Sequence, residues 1–124
     1  MNETSFLELT VPLYKVKVLV FSRAEDARER FGGDYLYHNY AAQVRVVNDD
    51  QSGIDIITLT FKDLDSYGTE ILAHECVHVA WHVLDLVRVK VSFANQEPLA
   101  YVTGWVAEHV NNYMVEQIEK ASTT

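Results

Sequence analysis

The chain has 124 residues, which is enough for one domain (1–124) with one modest core. Hydrophobic residues make up 48% of it, which excludes a disordered chain. No apolar run reaches the ~18–20 residues of a membrane span. The net charge of −8 comes with ten basic residues that are scattered or mixed with acids, which argues against direct contact with nucleic acid. Met1-Asn2-Glu3-Thr4-Ser5 has neither the basic region nor the cleavage site of a secretory signal. The one cysteine, Cys76, has no partner for an internal disulfide. Both observations fit an expected cytoplasmic location.

In chain order, Leu7 to Phe21 alternates as a strand, with a shift of phase at Pro12-Leu13 that predicts a bulge or bend. Ser22 is a candidate N-cap for a short polar helix over Arg23 to Phe31, ended by Gly32-Gly33-Asp34. The aromatic stretch Tyr35 to Tyr40 carries no clear signal beyond a loop leading into a strand. Ala42 to Val47 and Ile54 to Phe61 read as strands of an antiparallel hairpin around Asn48 to Gly53. Asp63, Asp65 and Ser66 are capping candidates for a helix from about Thr69 to Val87. That helix is nearly apolar all round, which predicts that it is buried. Arg88 to Phe93 reads as a short extended segment. With Asn95 as candidate cap and Pro98 in the first turn, a last helix spans about Glu97 to Glu119, followed by a frayed tail.

The middle helix carries His74-Glu75-Cys76-Val77-His78, a His-Glu-x-x-His motif. Positions i and i+4 share one helix face, so both imidazoles can reach one zinc ion, with Glu75 beside it as general base. His74, His78, His82 and Asp85 form one polar stripe. In a buried helix such a stripe needs partners, and a metal is one. Cys76 falls on a different face and reads as a small buried residue.

A catalytic zinc usually has a third protein ligand. His82 lies roughly 12 Å along the axis from His74, too far for all three histidines to share an ion. His38 is a candidate in the unassigned aromatic stretch. Glu97 is the preferred one, because it opens the next helix after a connection long enough to turn back.

His74-Glu75-x-x-His78, 18 further residues and then Glu97 resemble the layout of gluzincin metallopeptidases, in which a Glu on a following helix is the third ligand. Gln96-Glu97-Pro98-Leu99-Ala100-Tyr101 is similar to the Asn-Glu-x-x-Ala pattern around that ligand. With His82 included, the motif also resembles small zincin-like proteins that cleave phage repressors. Glu97, Ala100, Tyr101 and Gly104 resemble a Glu-x-x-Ala-Tyr-x-x-Gly segment of small phage-encoded zincin-like proteins. The resemblance covers about residues 54–110. It implies an α+β fold, a minimal zincin-like core in which a small antiparallel-containing sheet packs on the buried motif helix and the long C-terminal helix supplies Glu97. Two departures stand out: the large second lobe of thermolysin-like enzymes is missing, and Tyr101 occupies the position four on from Glu97, where a supporting Asp is often found.

The expected function is a zinc-dependent metallopeptidase acting on a protein or peptide in the cytoplasm, or the host cytoplasm if phage-encoded. Zinc would be held by His74, His78 and Glu97, with water activated by Glu75. Tyr101, His109 and Tyr113 are candidate donors to the oxyanion. Asp85 and Glu108 are candidates for orienting a ligand imidazole, and the strand Ile54 to Phe61 for pairing with an extended peptide. The alternative is a catalytically silent zinc-binding protein acting through protein–protein contact, such as a phage-type inhibitor of a host factor. A third reading is a helical interaction domain without metal.

Overall fold

A computed structural model describes residues 5–33 and 40–123, and in it the phase shift at Pro12-Leu13 is a chain reversal. β1 (Leu7–Thr10) pairs antiparallel with β2 (Lys17–Phe21), with Leu7 opposite Val20 and Thr10 opposite Lys17. The single bulged strand expected over this stretch is therefore two strands. Leu13 and Lys15 take φ values of 70° and 62°, and the Lys15 amide donates to the Val11 carbonyl at 2.9 Å. A reversal resets the two-residue period just as a bulge does, so alternation alone does not separate them.

α1 (Ala24–Phe31) follows β2. Ser22 does not cap it: Arg23 is the extended flanking residue, and the buried Ser22 hydroxyl has no hydrogen-bond partner. At the other end Gly32 takes φ 76°, and its amide donates to the Arg28 carbonyl, a left-handed stop that glycine accepts without strain.

β3 (Ala42–Asn48) and β4 (Asp55–Phe61) form the expected antiparallel hairpin. The sheet order is β1-β2-β4-β3, with β2 and β4 parallel. β4 is therefore an interior strand and β3 ends the described sheet. This corrects the expectation that Ile54 to Phe61 offers an edge for pairing. From Ile56 to Phe61 every residue is buried, as in strands covered on both faces.

α2 (Thr69–Leu86) and α3 (Glu97–Ser122) cover one face of the sheet, and α1 lies on the other. On the first face Val18, Val20, Ile57 and Leu59 meet Val79, Val83 and Leu84 of α2 and Val102, Val106, Val110 and Met114 of α3. On the second, Leu19, Phe21 and Ile56 enclose Ala27. The fold is thus α+β, with a four-stranded mixed sheet and a long C-terminal helix.

α2 differs from expectation in one respect. Val77 and Trp81 are 40% and 51% exposed, so the helix is buried on one side and not all round. Gly68, not an Asp or Ser, is its flanking residue, while Asp63 accepts the Ser66 amide at 2.9 Å in the preceding turn. Pro98 does open α3, but Gln96 is the flanking residue, and the Asn95 side chain donates from Nδ2 to the Lys90 carbonyl at 2.8 Å. The stretch expected to be extended, Arg88 to Phe93, contributes only the isolated bridge Ser92–Asn95. α3 continues past Glu119 to Ser122. No helix among the described residues is long and apolar enough to cross a membrane.

Leu84 is fully buried where α2 meets the core. Leu84→Ala is expected to lower unfolding free energy by about 2–5 kcal/mol in urea titrations, whereas a change at half-exposed Val77 costs well under that.

Candidate functional site

One side of α2 packs into the core, and the turn-by-turn period then fixes what the other side presents. Glu70, His74, His78 and His82, spaced four apart, all line a cavity of about 850 Å³. Its other walls are Tyr40 to Val44, at the start of β3, and Ser66 to Gly68, just before α2.

Within the motif the three chemical groups differ sharply in environment. The His74 side chain is 65% exposed, and the Glu75 side chain only 10%. The His74 and His78 rings sit 4.9 Å apart between centroids, tilted at 69°. His74 Nε2 lies 3.7 Å from Glu75 Oε2. Burial pushes the Glu75 carboxyl above its ordinary value, against the opposing pull of His74 and His78. A raised carboxyl beside two imidazoles in a cavity is suited to taking up a proton. The histidine stripe is not buried as expected and so needs no partners on that ground: His74 and His78 face open space, and of the three motif groups only Glu75 is buried.

Zinc, the ion the motif implies, is matched in part by this donor set. Two imidazoles one turn apart are the right chemistry. The third donor is not brought to them. Glu97 is exposed in the first turn of α3 and does not line the cavity. Among the described residues no three His, Cys, Asp or Glu side chains are placed to share one ion. His38 lies outside the described residues; Tyr40, two positions on, lines the cavity. Cys76 is fully buried, and its thiol is pushed up to about 12 by burial and by Glu75, so it is an inert core residue.

Tyr101, His109, Tyr113, Asp85 and Glu108 do not line the cavity. Tyr101 is 46% exposed on α3. His109 donates from Nδ1 to the Trp105 carbonyl at 2.8 Å and stacks on the Trp105 ring at 4.0 Å. Tyr113 packs against the core with a buried hydroxyl that has no partner. Asp85 is exposed beside a separate hollow with Trp81 and Arg88, and Glu108 is exposed.

His82, half-buried, is in the cavity, and so are two residues that the sequence reading left out. Glu70 extends the stripe one turn upstream, and its spacing of four from His74 was available as a signal. Tyr67 carried no such signal. Its hydroxyl donates to Asn111 Oδ1 at 2.6 Å, and its ring meets Phe61 edge-on at 5.3 Å, tying the cavity wall to α3 and β4. Burial and the nearby Cys76 push that hydroxyl up to about 12.

Comparisons with models of protein families, with curated proteins and with solved structures find no match.

Two measurements follow from these environments. A thiol reagent at pH 8 is expected to leave native Cys76 unmodified and to label it after denaturation; fast labelling of the native chain would contradict its burial. The folded state also holds the Glu75 proton more tightly than the unfolded chain, so this residue's contribution is greatest below the ordinary value of 4.5 and is lost as pH rises from there through the raised value of the folded state. Glu75→Gln is therefore expected to melt above the wild type at pH 7, by a margin that narrows as the pH approaches 4.5.

Proposed function

We propose that the chain is a zinc-dependent peptidase-type hydrolase whose reaction is centred on His74, Glu75 and His78. The observation that carries this reading is the lining of one cavity by all three side chains, with Glu75 buried and the two imidazoles open.

His74 and His78 would hold the ion. Glu97 is proposed as a third ligand on the strength of its spacing, although the structure does not assemble it with them. Zinc bound there would polarise a peptide carbonyl and acidify water. Glu75 takes the proton from the attacking water and returns it to the leaving amine.

The walls of the cavity favour an extended peptide. The Lys62 amide donates to the Ala41 carbonyl at 2.8 Å, which fixes the alternation along β3. Gln43 and Arg45 then direct their backbone groups toward β4, while those of Ala42 and Val44 point away from it. Ala42 and Val44 also line the cavity, so a substrate strand would add to β3 beside the motif.

A second reading is a zinc-binding protein that acts by contact alone. It is favoured by exposed apolar side chains, with Trp81 at 51% and Phe93 at 93%, and by the lack of a third donor among the described residues.

Metal analysis separates these readings from one without metal: about one zinc per chain is expected, lost in His74→Ala and His78→Ala. No zinc after its addition would overturn both metal readings. Glu75→Gln is expected to retain zinc and to lose peptide cleavage by at least ~100-fold. Cleavage or biological activity left intact in that variant would rule out the peptidase. Weaker zinc retention in Glu97→Ala would support that ligand, and weaker retention in His38→Ala alone would reassign it.

A further inference from the structure

We propose that the cavity receives a polypeptide segment bearing basic side chains, and that Glu70 is the residue that selects them. The inference rests on the cavity being a peptide site.

All ten Lys and Arg residues of the chain fall within its described parts, and none of them lines the cavity. Among the described residues, the titratable groups that do so, besides tyrosines, are Glu70, His74, Glu75, His78 and His82. Glu75 is buried against His74 and belongs to the reaction centre. Glu70 is exposed one turn upstream of His74 and joins no hydrogen bond or ion pair among the described residues. One turn from the reaction centre the cavity thus presents a carboxylate that no Lys or Arg side chain neutralises, on a chain of net charge −8. A carboxylate at a cleft that no cationic side chain enters attracts groups of the opposite sign. The first turn of a helix favours an acid for its own sake. That preference accounts for an acid at this turn but not for its facing the cavity.

β3 supplies the geometry. A peptide added to it in extended form points alternate side chains the same way, so a basic residue at every second position can present its charge toward α2. Arg45, the one cation of β3, lies on the opposite face of the strand from Ala42 and Val44, because side chains alternate along it.

The test uses two fluorescein-labelled nonapeptides, identical except for Lys or Gln at alternate positions, read by fluorescence polarisation. The Lys peptide is expected to bind the wild type about three- to fivefold tighter than the Gln peptide. Glu70→Gln is expected to remove this preference. Glu119→Gln, the same charge change on the exposed end of α3, is expected to keep it. Equal binding of the two peptides overturns the proposal, and so does an equal loss in both variants, which would mark a general field effect. Mass spectrometry of the same peptides with the zinc-loaded protein tests the underlying reading separately. Glu70-dependent binding without cleavage upholds charge selection and counts against turnover; cleavage without it does the reverse.

Discussion

The rotation of α2 about its own axis governs everything else in this molecule. Cys76, Val79, Ala80, Val83 and Leu84 form a fully buried stripe against the sheet and α3. Each fully buried Val or Leu contributes about 1.5–3 kcal/mol relative to leaving it in water. That stripe sets the orientation of the helix, and it carries Glu75 to the edge of the core. With it set, Glu70, His74, His78 and His82 turn to the cavity, and Glu75 falls at the boundary between cavity and core. The position that raises the Glu75 carboxyl is thus a consequence of packing made elsewhere on the same helix.

The sheet completes the site from the other side. Because β4 is held between β2 and β3, the chain that borders the cavity is β3, and its first residues meet α2 across the opening. The Tyr67 hydroxyl, bonded to Asn111, fixes the remaining wall to α3. Strand, turn and helix are each anchored in the core, which holds the walls of the cavity in place.

The parts of this arrangement that were legible in the sequence are those set by local pattern. The helical period placed α2 and α3, Gly32 ended α1, and two alternating runs around Asn48 to Gly53 gave the β3–β4 hairpin. Long-range features were not legible. A phase shift at Pro12 is equally compatible with a bulge or a reversal, and only the pairing of Leu7 with Val20 distinguishes them. The interior place of β4 depends on its parallel pairing with β2, which no local signal encodes. The reading of α2 as buried all round failed for the same reason: Val77 and Trp81 look like core residues until the layer order shows one side of the helix uncovered. At the site, the His74, Glu75, His78 and His82 grouping was visible from spacing alone. The separation of Glu97 from the cavity was not, because it depends on how α3 sits beside α2.

The proposed function stands on a metal ion held on the cavity side of α2 by His74 and His78. Anomalous diffraction at the zinc edge, from crystals of zinc-loaded protein, shows where such an ion sits. One strong peak is expected in the cavity, about 2.0–2.1 Å from a ring nitrogen of each of the two histidines. A peak elsewhere, or none along α2, would overturn the assignment.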